Sequence, residues 1–156
     1  MAQNILIAFD DSENAMRAVE FVARSLKNDS NVTLFHVLQD TAALCELHSP
    51  ELTEYFIAQQ SNFCVLEAQK KKLIESAMKK ATALLAEAGF SEASVKSRAE
   101  VKKTGVARDI LEKSQSGFDI VVMGRRGLSG IKEFFLGSVS QKVFNAAKDV
   151  TVVIVN

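Results

Sequence analysis

Short apolar runs alternate with longer segments of helical periodicity along this chain. An uninterrupted apolar run bounded by turn residues is typical of a strand that is buried on both faces. The pattern therefore predicts five strands, the third of them more polar and alternating. They fall at residues 4–9, 32–38, 93–101, 118–123 and 150–155.

The segments between these runs predict helices. After the first run, Asp11 or Ser12 can cap a helix whose apolar positions fall on one stripe. A long helix is predicted over residues 62–88, and shorter ones follow Thr104-Gly105 and Gly137-Ser138. The buried stripe of the long helix is predicted to comprise Leu66, Leu73, Ile74, Ala77, Ala81, Leu84, Leu85 and Ala88.

Regular alternation of strands and helices predicts an α/β fold, a three-layer sandwich in which helices cover both faces of a parallel sheet. Right-handed connections place the carboxyl ends of all strands on one rim, where such sheets bind their ligands. Asp10, Val37 and Gly124 all fall at strand ends. With 156 residues, the chain is expected to form one domain.

Residues 39–63 are the least regular part and are predicted to be a partly helical insertion. Ser49 followed by Pro50 is typical of a helix start. Tyr55, Phe56 and Phe63 add apolar bulk. Two interpretations remain open for this insertion: packing over the sheet, or a lid or partner surface.

Composition narrows the classes of function. The formal net charge is +0, so no general attraction to nucleic acid or to an anionic membrane is expected. The first apolar run stops at Asp10, which is too short for a signal peptide, and no run approaches the length of a membrane span. A cytoplasmic protein is therefore expected. Cys45 and Cys64 have no metal-binding or redox spacing and are predicted to be plain thiols.

The strongest candidate site is Gly124-Arg125-Arg126-Gly127, which directly follows an apolar run and precedes Gly137-Ser138 at a helix start. Glycines let a backbone turn sharply or approach a ligand, and a helix start leaves N–H groups free. Together they predict a pocket for an anion, most plausibly phosphate, with hydroxyls from Ser138 and Ser140. A strand-to-loop turn without a ligand is the alternative.

Other sites are weaker. Neither a P-loop nor a G-x-G-x-x-G fingerprint is present, and the G-x-x-G follows a strand, unlike the RNA-clamping loop of KH domains. Asp10 is either a turn residue or a carboxylate for a ribose hydroxyl, an adenine amine or a metal, whereas Asp11 is expected to be solvated. His36 is predicted to be structural, and Lys70-Lys71-Lys72 to lie on a solvated helix face.

The chain resembles the universal stress protein family nearly from end to end. The resemblance rests on Ile5-Leu6-Ile7-Ala8-Phe9-Asp10, on Leu34-Phe35-His36-Val37, and on Asp119-Ile120-Val121-Val122-Met123-Gly124. It also includes Leu136-Gly137-Ser138-Val139 and Val152-Val153-Ile154-Val155. The spacing of Gly124, Gly127 and Gly137-Ser138 is similar to the nucleotide-binding signature of that family. Arg125-Arg126 stands where Ser-His is frequent in the family, and Asp11 where glycine is frequent.

The resemblance implies a five-stranded parallel sheet in the order 3-2-1-4-5 and a site for ATP, ADP or AMP. Asp10 would lie near the adenosine with Ala8 and Phe9 beside it, and Val37 would meet the adenine through its backbone. The path of the ribose and phosphates would be lined by Met123, Gly124, Arg126 and Gly127. The phosphates, often with Mg²⁺ or Mn²⁺, would be held by Gly137, Ser138, Val139 and Ser140.

The resemblance also implies a homodimer through the last strand, residues 150–155. The sequence supports this, because a long apolar strand at a sheet edge needs covering. The expected function is that of a cytoplasmic, ATP-binding regulator or adaptor in stress response. Slow or absent turnover is expected, because no general base is visible and the P-loop lysine is missing. A slow ATPase or self-phosphorylating enzyme, with Ser138 and Ser140 as acceptors, and a nucleotide-free dimerisation module are the alternatives.

Overall fold

A computed structural model of the chain describes residues 2–125 and 136–156. Five parallel strands form one sheet in the order β3-β2-β1-β4-β5, which confirms the predicted fold class and the strand order that the resemblance implied. The strands are β1 (Asn4–Ala8), β2 (Asn31–Leu38), β3 (Val95–Val101), β4 (Ile120–Gly124) and β5 (Thr151–Val155). The helices are α1 (Glu13–Ser25), α2 (Ala42–Cys45), α3 (Glu54–Glu87), α4 (Val106–Ser114) and α5 (Ser138–Ala146).

Two apolar cores lie on opposite faces of the sheet. Alternate residues of β1 separate them: Ile5 and Ile7 belong to one core, and Leu6 belongs to the other. Helices α1 and α3 cover the first face, while α4 and α5 cover the second. The central strands are buried on both faces, as continuous apolar runs predict.

The long helix α3 begins earlier than the sequence predicts. Thr53 is its N-cap and accepts a hydrogen bond from Phe56 N–H at 3.2 Å, so the helix starts at Glu54 rather than near residue 62. The prediction of a helix start at Ser49 and Pro50 was wrong. Ser49 Oγ instead accepts from Glu51 N–H at 3.3 Å, within a turn.

The predicted buried stripe of α3 is only partly correct. Ile74, Ala81 and Leu85 are buried, together with Met78, but Leu66 and Leu73 are 62% and 58% exposed. Leu66 lies in the first part of α3, which has no buried residue before Ile74. Leu73 directly precedes Ile74, and because one residue of an α-helix turns by about 100°, it points away from the buried face. No helix in residues 2–125 and 136–156 is long and apolar enough to cross a membrane.

Two residues, Gly124 and Asp109, hold loops at the carboxyl rim of the sheet. Gly124, at the end of β4, lies against the first turn of α1. An ideal Cβ on Gly124 would lie 2.6 Å from Asn14 Cβ and 2.7 Å from Asn14 C, and both are closer than real Cβ contacts. Gly124 is thus required for the approach of α1 to the sheet, a role in packing that its sequence motif did not indicate.

Asp109 organises the turn between β3 and α4. Its carboxylate accepts hydrogen bonds from Lys103 N–H at 2.7 Å, from Thr104 N–H at 3.1 Å and from the Thr104 hydroxyl at 3.0 Å. Burial raises the pKa of Asp109, but these hydrogen bonds and one from Gly105 N–H outweigh it, so the pKa lies below its ordinary value.

Asp109→Asn is expected to lower the free energy of unfolding by about 1–3 kcal/mol at neutral pH, because it removes hydrogen bonds to a charged acceptor. Since the folded-state pKa is lowered, this stabilisation is fully present above the unfolded-state pKa of about 3.9 and is lost as the pH falls through the folded-state value. Urea unfolding of both proteins from pH 7 to pH 3 measures the difference. Glu112→Gln, in an exposed pair with Lys103 at 3.7 Å, is the control and should change little. A pH-independent difference would contradict the assignment.

Gly124→Ala is expected to lower the free energy of unfolding by about 1–3 kcal/mol, because the new methyl group must displace the backbone of Asn14. Gly105→Ala is the matched control, since nothing lies within 4 Å of a Cβ at that position. Chemical denaturation of both variants beside the parent chain gives the comparison. Equal effects of the two substitutions would show that the contact with Asn14 is not the cause.

Candidate functional site

A cavity of about 650 Å³ opens at the carboxyl rim of the sheet, above the ends of β1, β2 and β4. We call it the rim cavity. It lies where strand order reverses: the chain leaves β1 towards α1 on one face and leaves β4 towards α5 on the other. Such a reversal separates two neighbouring loops and is the usual ligand site of open α/β sheets.

Ten of the predicted site residues lie in the wall of this cavity. They are Ala8, Phe9, Asp10, Val37, Met123, Gly124, Gly137, Ser138, Val139 and Ser140. Arg126 and Gly127 lie outside the described residues. Three segments far apart in sequence therefore meet at one rim, as expected from the positions of the strand ends.

The loop after β1 is built around two polar side chains. Ser12 is the N-cap of α1 and accepts from Ala15 N–H at 3.1 Å, whereas Asp10 Oδ1 accepts from Ser12 N–H at 2.8 Å. Asp10 therefore shapes the turn with one oxygen while it lines the cavity. Asp11 is not the solvated residue that was expected: its Oδ1 is buried, and no donor reaches it from the described part of the chain.

The amino end of α5 forms the part of the cavity wall beside the end of β4. Gly137 is its N-cap, and the N–H of Gly137 donates to Arg125 O at 2.9 Å. Within the described ranges no side chain caps this helix, and no backbone group there accepts from the N–H groups of Ser138, Val139 or Ser140. A helix start of this kind presents donors and positive dipole potential to an anion.

The two serines of α5 differ. Ser138 is exposed, whereas Ser140 is 3% exposed, and its hydroxyl lies 3.2 Å from Gly124 O and 2.9 Å from Arg125 O. Both partners are acceptors, so the single hydroxyl proton of Ser140 is already donated. Ser140 thus fixes α5 to the end of β4 by its side chain, and the only donor that it can offer to an anion is its amide.

The end of β2 presents main-chain groups to the cavity. Phe35 O accepts from Phe9 N–H at 2.8 Å, and Leu38 O accepts from Lys102 N–H at 2.7 Å. Backbone groups alternate in direction along a strand, so those of Val37 point towards β1. The strand β1 has already ended there, and none of the described residues is a backbone partner for Val37.

His36 is a structural residue, as the sequence predicted. Its Nδ1 lies 2.8 Å from Phe9 O. A carbonyl oxygen can only accept, so Nδ1 carries the proton. The imidazole therefore ties β2 to the chain leaving β1 and holds both strand ends in position.

The insertion and α3 also contribute to the wall, although the sequence analysis assigned no site residue to either. From α2 and its N-cap, the wall contains Thr41, Ala42 and Cys45. From α3, it contains Cys64, Glu67, Ala68, Lys70 and Lys71. Lys70 is half-buried, so the predicted solvated face holds for Lys71 and Lys72 but not for it. Tyr55 is 76% exposed, which rules out packing over the sheet for that residue.

Cys45 and Cys64 form a disulfide, so the prediction of two plain thiols was wrong. Their Cα atoms are 5.9 Å apart, and 19 positions separate them in sequence. The bond joins α2 to α3 within the cavity wall. The spacing of the two cysteines does not indicate this bond, because the pairing depends on how two helices meet.

Metal ligation by the protein alone has no support in the described part of the chain. No group of three or more His, Cys, Asp or Glu side chains there could hold an ion. Mg²⁺ is commonly bound through one or two carboxylates together with substrate phosphates. Asp10 lines the cavity and could take part in a site of that kind.

Comparison with known proteins gives one family. The profile of the universal stress protein family matches residues 1–155. Universal stress protein YxiE of Bacillus subtilis is 30% identical over 151 residues, and the match covers 92% of either chain.

Solved structures share the fold. The hypothetical protein MJ0577 has a TM-score of 0.67 at 28% identity, over 99% of this chain and 96% of that one. A universal stress protein solved in complex with cAMP has a TM-score of 0.64 at 19% identity, over 99% and 97% of the chains. The chain belongs to the universal stress protein family.

Proposed function

We propose that this protein binds an adenine nucleotide, ATP above all, in the rim cavity and acts as a nucleotide-dependent regulator or adaptor in stress response in the cytoplasm. The observation that carries the proposal is the start of α5, which no side chain of the described residues caps and which opens into a cavity of about 650 Å³. This volume lies within the range of small-molecule sites. A family member in complex with cAMP supports the class of ligand.

The proposed roles follow from the donors and acceptors in the wall. The amides of Ser138, Val139 and Ser140 would bind the phosphates, because they point from a helix start and have no acceptor in the described ranges. The free amide and carbonyl of Val37 match the donor and acceptor on the edge of adenine. Asp10 keeps a second carboxylate oxygen for a ribose hydroxyl or for Mg²⁺ or Mn²⁺ that arrives with the nucleotide.

The hydrogen bonding of Ser140 argues for nucleotide binding without catalytic turnover. The proton of Ser140 is donated to the backbone, which argues against this residue as a phosphate acceptor and leaves the exposed Ser138. A nucleotide that is held mainly by main-chain amides needs no reactive side chain nearby. The proposed activity is therefore a change of binding state, not a chemical step.

Isothermal titration with ATP is expected to show binding in the micromolar range, and protein purified without added ligand is expected to carry adenine nucleotide. Gly137→Val should abolish this binding, because the added side chain stands at the start of α5 in the cavity wall. Gly137 has φ −60° and ψ 157°, which valine adopts without strain, so the fold should persist.

Gly105→Val is the matched control, since it places the same side chain at the N-cap of α4 rather than α5. Survival of binding in Gly137→Val would show that the phosphates lie elsewhere. A folded parent chain with neither heat nor copurified nucleotide would favour the nucleotide-free module. Incubation with γ-labelled ATP completes the test: steady phosphate release in proportion to protein would favour the slow ATPase, and label on Ser138 the self-phosphorylating enzyme.

We also propose that the protein is a homodimer through β5. This strand is at the edge of the sheet, and its four residues from Val152 to Val155 are only partly buried in the single chain. Thr151 N–H donates to Asp119 O, and Val155 O accepts from Arg125 N–H, so these positions face β4. By alternation, the backbone groups of Val152 and Ile154 point away from the sheet and could pair with a second copy.

Val152→Pro is expected to weaken dimerisation by tenfold or more, because it removes an outward N–H and places a ring on the free edge. The ladder to β4 uses the alternate residues and should persist. Sedimentation velocity over a range of concentrations measures the effect. Val152→Ala, which keeps the N–H, is the control and should remain dimeric. An unchanged dimer in Val152→Pro, with native circular dichroism, would exclude this edge as the interface.

A further inference from the structure

We propose that the Cys45–Cys64 disulfide is a site of thiol–disulfide exchange that holds the rim cavity in its binding-competent shape. The inference rests on the proposed nucleotide binding and adds redox regulation to it. Both cysteines line the rim cavity, so the bond is part of the wall that a nucleotide would meet. Breaking the bond would therefore change the site itself and not a distant element.

The disulfide is accessible to small thiols from outside. Cys45 and Cys64 are half-buried rather than enclosed. They also line a second groove of about 730 Å³, beside residues such as Leu47 and Ile57. The bond thus separates this outer groove from the rim cavity, and a thiolate can approach it from the outer side.

Little else holds α2 in place. This helix has four residues, no side-chain cap and no buried residue. Apart from the disulfide, its side-chain connection to α3 within the described ranges is the Gln60 amide, which donates to Leu44 O and to Leu47 O, the latter at 2.9 Å. Two exposed hydrogen bonds are worth little beside a covalent bond. Reduction would therefore release α2 from the wall.

Release of α2 changes the cavity directly. Thr41 and Ala42, at the start of α2, line the rim cavity with Cys45. On the other side of the bond, Cys64 belongs to the part of α3 that has no buried residue, and Lys70 and Lys71 of the same helix also line the cavity. The disulfide therefore connects two weakly packed wall segments, neither of which contributes a buried residue to the core.

The chemistry balances with a low-molecular-weight thiol as reductant. A thiolate attacks one sulfur of the disulfide and displaces the other as a thiolate; a second reductant thiol then resolves the mixed disulfide. Two electrons and two protons pass to Cys45 and Cys64, and the reductant leaves as its own disulfide. In reducing compartments, disulfides that do form are usually transient and catalytic or redox-sensing.

The test compares the affinity for ATP of the oxidised protein and of the protein reduced with dithiothreitol, by isothermal titration. We expect the oxidised form to bind ATP at least fivefold more tightly, because an ordered wall avoids the cost of ordering it on binding. A Cys45→Ser/Cys64→Ser double variant should match the reduced form and be insensitive to dithiothreitol. The chain contains only these two cysteines, so the reductant has no other target.

Thermodynamic linkage between ATP binding and reduction of the disulfide gives an independent measurement. Saturating ATP must favour the disulfide by the same factor by which the disulfide favours ATP. A tenfold preference would make the reduction potential about 30 mV more negative, measured by equilibration with glutathione buffers. Equal affinity in both redox states, or tighter binding after reduction, would overturn the inference. Absence of ATP binding in both states would instead refute the proposed function, so the two failures are distinguishable.

Discussion

The site depends on one constraint of chain direction: β1 and β4 are neighbours in the sheet, yet their chains leave towards opposite faces. Two loops that would otherwise pack together are thereby separated, and a cavity opens between them. The first turn of α1 nevertheless approaches the end of β4 closely, against Gly124. Glycine at this one position allows the loops to remain in contact at the base of the cavity while they diverge above it.

Main-chain groups at two places form part of the polar surface that this arrangement creates. The start of α5 contributes amides, and the end of β2 contributes the amide and carbonyl of Val37. Two side chains hold these groups in place: Ser140 bonds to Gly124 O and Arg125 O, and His36 bonds to Phe9 O. The amides of α5 and the backbone groups of Val37 are present whatever side chains the loops carry.

The sequence predicts the parts of this protein that local chemistry determines. Apolar runs located the strands, and strand ends located Asp10, Val37 and Gly124 at one rim. The errors concern α3, the cysteines and Asp11, where tertiary contacts decide. Leu66 lies where α3 has left the core, and Leu73 lies beside the buried face rather than on it. Periodicity shows neither where the partner surface ends nor which side of an apolar stripe it covers. The Cys45–Cys64 pair likewise depends on the approach of α2 to α3.

The charges of the cavity indicate what kind of attraction a polyphosphate would meet there. Among the described residues, the wall carries four carboxylates (Asp10, Asp11, Asp40 and Glu67) and two ammonium groups (Lys70 and Lys71). Net charge in this part of the wall therefore does not attract an anion. The proposed nucleotide would depend on oriented dipoles at the start of α5, which act over one helical turn, and on a divalent cation to compensate the carboxylates. Selectivity then rests on geometry, because an anion displaced from the helix axis gains little from the amides and is repelled by the acidic wall.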